Sequence, residues 1–371
     1  MVRRVLVINA GSSSLKASVL DGDTVAPVAA SSVGWVDPRD EAATLRQVLE
    51  ALAQAGADPR SYEAVGHRIV HGGVRFRAPA LVDEDVVSGI DDLRDLAPLH
   101  NPIALRTLYA ARAAFPGVPH VACFDTAFHT TLDEAAFVYA LPHAWFAEWG
   151  YRRFGFHGLS AAWAVERAGA LLARRPDTLG VVVAHLGSGC SVTAVRDGAS
   201  VSTSMGMTPL EGLAMATRAG SVDPGVLIAA MRDHDLEVSA LERVLDRESG
   251  LLGISGRSGD MRELLESEAS DPRAALAIEI FVRSAAAGIA AAATALPRLD
   301  AVVFTGGIGE HASRVRARIS ARLAPLGVAP VATDPVEADA VLAREPVAVL
   351  RIEAREDLIV ARQVRGLLAV R

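Results

Sequence analysis

The chain opens with an apolar, β-branched run, Val5-Leu6-Val7-Ile8, which ends in Asn9-Ala10-Gly11-Ser12-Ser13-Ser14. Such a run predicts a buried strand leading into a small polar turn. From Lys16 to Leu20 apolar and polar positions alternate, and Asp21-Gly22 closes the segment with a hairpin signal. The pattern recurs at Val181-Val182-Val183-Ala184, followed by His185-Leu186-Gly187-Ser188-Gly189-Cys190-Ser191 and, further on, Asp197-Gly198. Overlaid without a gap, the two segments share Val5/Val181, Val7/Val183, Gly11/Gly187, Ser12/Ser188, Val19/Val195, Asp21/Asp197 and Gly22/Gly198. This similarity points to a duplication. A third apolar run, Ala301-Val302-Val303-Phe304, leads into Thr305-Gly306-Gly307-Ile308-Gly309-Glu310. Helical periodicity predicts helices over 42–55, 159–173, 275–296 and 313–323. Residues 330–346 predict loop and strand before a last helix beginning at Asp357. Strands alternating with helices imply α/β layers.

Composition narrows the picture. Apolar residues are 51% and charged residues 22% of 371, which argues against disorder, and the length suggests two domains or one large bilobed enzyme. The formal net charge of −7 provides no basic field for nucleic acid. Two cysteines cannot form a disulfide framework and suit a reducing cytoplasm. The alanine-rich run 284–296, flanked by Arg283 and Arg298, falls short of the ~18 apolar residues of a membrane span, so a soluble protein is expected. Of the 37 basic residues only Lys16 is lysine, and it falls just past the first glycine–serine turn.

Histidines, arginines and acids gather in turns: Gly66-His67-Arg68-Ile69-Val70-His71-Gly72-Gly73, Leu99-His100-Asn101-Pro102, Cys123-Phe124-Asp125, Phe154-Gly155-Phe156-His157-Gly158, Thr208-Pro209-Leu210-Glu211-Gly212 and Thr217-Arg218-Ala219-Gly220. Any one of these could be structural, since a half-buried histidine commonly satisfies backbone groups. Zinc-ligand spacings are absent, as are the P-loop, the dinucleotide fingerprint and the serine-nucleophile elbow. Two facing small-residue turns would suit a phosphate chain, because their backbone N–H groups can converge on its oxygens.

Taken together and in order, from Val5–Lys16 to Glu356-Asp357-Leu358-Ile359-Val360-Ala361-Arg362, these motifs resemble the acetate kinases of the acetate and sugar kinase/heat-shock 70/actin superfamily. The resemblance implies an α/β fold of duplicated actin-like (ribonuclease H-like) domains, mixed sheets flanked by helices with a cleft between domains. The boundaries implied are 1–127 plus 358–371 for one domain and 128–357 for the other, nucleotide-binding one. It implies a homodimer and reversible transfer of the ATP γ-phosphoryl group to acetate, with ATP/ADP as co-substrate and Mg²⁺ or Mn²⁺. Asn9 and Glu356 then correspond to the metal site, and Lys16, Ser12 and Ser14 to nucleotide-phosphate contacts. Arg68 and Arg218 would hold acetate and the transferred group, as a planar bidentate cation suits both. His157 would donate to the transition state. Asp125 would orient an arginine or a metal-bound water, because a carboxylate nucleophile needs no base. Val70, Leu99, Phe156 and Pro209 match the wall around the acetate methyl. His185, Leu186, Gly187, Ser188, Gly189, Asp260, Met261, Arg262, Gly307, Ile308, Gly309, Glu310 and His311 match the nucleotide pocket. Within it Ser188, Met261 and His311 stand where the family commonly has Asn, Phe and Asn. A propionate or butyrate kinase of the same fold, or a non-catalytic nucleotide-binding relative, are the alternatives.

Overall fold

The computed structural model describes residues 2–11, 14–22, 24–35, 40–98 and 100–370. Two compact units emerge, one of Met1–Thr130, Phe156–Trp163 and Arg355–Arg371, the other of Thr131–Gly155 and Ala164–Ala354.

The first unit is built on β1 (Arg4–Ala10), β2 (Ser14–Asp21), β3 (Ala29–Gly34), β4 (Ala64–Ile69), β5 (Ala80–Leu81) and β6 (His120–Phe124), in the order β3-β2-β1-β4-β6-β5. β1 pairs antiparallel with β2 and parallel with β4, and β4 pairs parallel with β6. Covered on both faces, β1 needs a continuous apolar run, which Val5–Ile8 supplies. On one face Leu6, Ile8, Leu15, Val19, Val65 and Phe124 pack against Leu45, Val48, Leu52 and Leu108 of the helices Glu41–Gln54 and Asn101–Ala114. Asp40 caps the first of these by accepting from Ala43 N–H at 2.8 Å. The helix Glu356–Ala369 covers the other face. It comes so close that a Cβ on Gly66 would lie 2.6 Å from Val360 and 2.9 Å from Val364.

The second unit repeats the plan with β7 (Gly180–Leu186), β8 (Cys190–Arg196), β9 (Ala199–Thr203), β10 (Ala301–Thr305), β11 (Ala340–Ala343) and β12 (Ala348–Arg351). Read from the corresponding edge, the order β9-β8-β7-β10-β12-β11 matches the first sheet strand for strand, in parallel and antiparallel sense alike. The gapless overlay holds only as far as the first turn, however. Ala10 pairs with Leu15, whereas Leu186 pairs with Cys190, so the second turn is one residue shorter. Val19 is therefore the ladder equivalent of Ala194 rather than Val195. Asp197-Gly198, both at positive φ, form the two-residue hairpin turn. At Asp21-Gly22 the expected tight hairpin is absent, and Val19 pairs with Ala29 across a longer loop.

The helix expected over 275–296 runs Pro272–Ala293, with Asp271 as its cap. By length and composition alone it could cross a membrane, which corrects the shorter stretch inferred from the sequence. Its Ala277, Ile278, Phe281, Val282, Ala285 and Ile289 are buried at helical spacing within the second unit. The boundaries also differ from the sequence-based ones, because Phe156–Trp163 groups with the first unit. The cause is close packing at Gly158, where a Cβ would sit 2.1 Å from the Asp125 carbonyl oxygen.

Candidate active site

Three adjacent strands of the first unit carry a charged row. Asn9 on β1 lies opposite Lys16 on β2 and opposite Arg68 on β4. Residues opposed across a ladder project to the same face, here the face that bears the helix Glu356–Ala369. Asp125, immediately after β6, takes two donors of the Arg68 fork: Nε to Oδ1 at 3.0 Å and Nη2 to Oδ2 at 2.6 Å. Arg68 Nη1 donates to Asn9 Oδ1 at 3.2 Å and lies 3.1 Å from Glu356 Oε2, while Asn9 Nδ2 donates to that same oxygen at 2.9 Å. The side chains of Arg68 and Glu356 are each 14% exposed and that of Asp125 1%, so these contacts are poorly screened. Burial opposes the Arg68 charge, but the carboxylates of Asp125 and Glu356 outweigh it and raise the arginine pKa. For Glu356, burial raises the pKa. Arg68 and Lys16 act against the shift, and Asp125 and Asp357 add to it. Asp357 accepts from Ser18 at 3.1 Å and from the Arg355 fork at 2.9 Å.

Glu356 offers carboxylate oxygens and Asn9 an amide oxygen, the ligand type a hard divalent cation takes, and Asp125 and Asp357 beside Glu356 make it costly to keep that carboxylate ionised without a counter-charge. Among the described residues no three His, Cys, Asp or Glu side chains form a ready metal cage. Held by Asn9 and Glu356, a divalent cation would draw the rest of its shell from water or phosphate oxygens.

His157 adopts φ 54°, a left-handed conformation rare outside glycine, between Gly155 at φ 79° and Gly158 packed on Asp125. Phe156 before it is 1% exposed, its ring edge-on to His71 at 5.3 Å, and its carbonyl meets His129 Nε2 at 3.0 Å. Val70 is buried just beyond β4. His71 has a structural duty, with Nδ1 accepting from Gly73 N–H, while Asn101 brackets the His71 backbone with hydrogen bonds of 3.1 and 3.0 Å. Ser14 is half-buried at the start of β2 and Lys16 is exposed. Ser12 and Leu99 lie outside the described residues.

In the second unit Arg218 is 9% exposed, donating from Nε to Asp246 at 3.0 Å and from Nη1 to the carbonyl of buried Pro209 at 3.4 Å. The turn after β7 closes with Gly187 N–H donating to the Gly189 carbonyl at 3.1 Å, and Ala216 N–H donates to the exposed Ser188 carbonyl. The turn after β10 lies beside it: a Cβ on Gly306, at φ 76°, would meet Leu186 O at 2.8 Å and His185 Nε2 at 3.1 Å. The second and third glycine turns of the sequence are thus neighbours. Gly307 and His311 are exposed, Ile308 is half-buried and Gly309 buried.

Three of the nucleotide-pocket candidates have partners or packing within the second unit. Met261 is 3% exposed and belongs to the interior. Glu310 is turned inward, its Oε1 accepting from Gly306 N–H and Ala354 N–H, each at 2.9 Å, so it braces the turn. Asp260 caps the helix Met261–Ser267 and pairs with the Arg262 fork, which lowers its pKa.

Asp246, Asp357, Arg355, Tyr139 and Arg153 were not among the sequence candidates, whereas Glu211, with which Tyr139 and Arg153 interact, was marked as an acid in a turn. Asp246 sits on the amphipathic helix Val238–Arg247 with nothing local to mark it.

A doubled mixed sheet, paired glycine turns and arginines held by carboxylates define a phosphotransferase of duplicated actin-like fold. A sequence model described as the acetokinase family matches residues 4–362, and the chain belongs to that family. It is 42% identical to the acetate kinase of Synechococcus sp. (strain JA-2-3B'a(2-13)), with 98% of this chain and 99% of that protein covered. Among solved structures it resembles a propionate kinase from Francisella tularensis subsp. tularensis SCHU S4, with TM-score 0.88, 33% identity and coverage of 97% and 98%. It also resembles Porphyromonas gingivalis acetate kinase, with TM-score 0.86, 31% identity and coverage of 99% and 100%.

Proposed function

We propose that this chain catalyses the reversible, magnesium-dependent transfer of the ATP γ-phosphoryl group to acetate, giving acetyl phosphate and ADP in one in-line step. The observation that carries the reading is the Arg68 fork, fixed by Asp125 in the row that holds Lys16, Asn9 and Glu356, within a member of the acetokinase family. An acetate oxygen forms the new bond to Pγ as the bond from Pγ to the β-phosphate oxygen breaks, and ADP leaves with that electron pair. No proton need be removed, so Asp125 orients Arg68. Such transfer depends chiefly on positioning and charge stabilisation. Arg68 and Arg218 balance the negative charge of acceptor and phosphoryl group, His157 donates to the equatorial oxygens, and Lys16 contacts the nucleotide phosphates. The backbone of the His185–Gly189 and Gly307–His311 segments cradles the nucleotide. Asn9 and Glu356 would hold magnesium, which when bound neutralises phosphate charge.

The test is a hydroxamate trap for acyl phosphate, with ATP, GTP and pyrophosphate as donors and acetate, propionate and butyrate as acceptors. Acyl hydroxamate from ATP and acetate is expected, with turnover lowered on the order of 10²-fold or more in Arg218→Lys. Its absence with every donor would remove the reading. Propionate is the second acceptor to consider, given the solved propionate kinase that this chain resembles. We place the protein in the cytoplasm, where its two free buried thiols suit a reducing milieu. We also propose a homodimer, supported by the exposed Val226, Ile228, Met231 and Val238 on helices that bury no residue within the chain.

A further inference from the structure

We propose that Glu211 is a positioning residue for the acyl acceptor, one that fixes the Pro209 loop and thereby sets which carboxylate fits. This rests on the reading of the chain as a carboxylate kinase.

Residues 204–212 of the second unit form neither helix nor strand, and a single carboxylate organises them. Tyr139 Oη donates to Glu211 Oε2 at 2.6 Å and accepts from Met207 N–H at 2.9 Å. Arg153 donates from Nη2 to Glu211 Oε1 at 2.7 Å, and from Nη1 to the carbonyls of Ser204 and Met205 at 2.9 and 3.1 Å. Hydrogen bonds to ionised groups are the strong ones, so the loop is held at 204, 205, 207 and 211. Gly206 lies beneath the clamp, where a Cβ would fall 1.9 Å from Glu211 Oε2 and 2.1 Å from Tyr139 Oη. Its carbonyl accepts from Phe154 and Gly155 N–H at 3.0 and 3.3 Å, the residues that lead into Phe156-His157. Pro209, two positions before Glu211, offers its carbonyl to Arg218. One clamp thus fixes an acceptor-wall residue, a contact of the substrate arginine and the approach to His157. Burial, then Glu211, raises the Tyr139 pKa and keeps the phenol a donor.

The experiment measures steady-state kinetics of full-length wild type, Glu211→Gln and Tyr139→Phe with acetate and propionate. We expect the acetate KM to rise about tenfold, the ATP KM to move less than about twofold, and the acetate-to-propionate ratio of kcat/KM to fall about fivefold or more. Acceptor KM and ratio unchanged in folded variants would overturn the proposal, as would equal rises in both substrate KM values, the mark of general loosening. If Glu211→Gln does not fold, Tyr139→Phe, which removes one hydroxyl, decides alone. An active wild type with unmoved variants removes this inference only. A wild type that makes no acyl hydroxamate removes the parent reading and this one with it.

Discussion

Arg68 cannot be judged by deleting it. Its guanidinium is the counter-charge for Asp125, whose side chain is 1% exposed, and stripping one partner from such a pair costs about 3–5 kcal/mol through the charge left behind. Arg68→Ala would lose stability and activity together. His157 gives a cleaner test, because its φ of 54° is a conformation that asparagine tolerates. His157→Asn is expected to keep the thermal midpoint within a few degrees while kcat falls on the order of 10²–10³. Near-normal kcat would remove His157 as the transition-state donor. Backbone strain at such a point fits a functional position, where the surroundings must over-determine the conformation.

Among the elements, β1, β7 and β10 were legible from the runs Val5–Ile8, Val181–Ala184 and Ala301–Phe304, since a strand covered on both faces must be apolar throughout, whereas β3 and β5 carry no such run and, with β12, were not read. The hairpin register was not, because Gly11 and Gly187 look alike while the loops they open differ by one residue, which only the ladder reveals. Candidate residues in turns stood out as polar groups in otherwise apolar surroundings, and Asn9, Arg68, Asp125 and Glu356 among the candidates come together in the first unit. Asp246 was not, as a carboxylate on an amphipathic helix resembles any solvated acid until Arg218 is placed beside it. Dimer formation is tested at the same scale. On the helices Pro224–Asp233 and Val238–Arg247, Val226 is 61% exposed, Ile228 60% and Val238 66%, an apolar display that a second copy would cover. Analytical ultracentrifugation should give a dimer for the wild type and a monomer for the Val226→Glu, Ile228→Glu double variant. A monomeric wild type would end the proposal.

For the whole molecule, pH is the sensitive variable. His129 in the first unit is buried, and that burial holds its pKa down to about 4, with the Phe156 carbonyl and Asp125 acting against the shift. His67 and His120, whose ring nitrogens lie 2.9 Å apart, are also lowered, both chiefly by burial. A histidine with a depressed folded pKa takes up its proton more readily when unfolded. Its stabilisation is present above the unfolded value of about 6.5 and is lost as pH falls toward the folded value. For His129 alone the loss between those limits is roughly 3 kcal/mol. Urea melts at pH 7.5 and 5 should show the decline, and His129→Gln, which keeps a donor for Phe156, should flatten it. An equal pH slope in wild type and variant would count against His129 as a source.

Asn9 and Glu356 share a hydrogen bond across 347 positions of chain. A ribosome must therefore deliver everything between them before the first unit can gain its covering helix and the Glu356 carboxylate that Asn9 contacts. The intervening unit has most of its chain in one stretch, Ala164–Ala354, and is available to fold earlier. A nascent chain with its second sheet complete still lacks Glu356, and with it the partner that Asn9 contacts in the folded first unit.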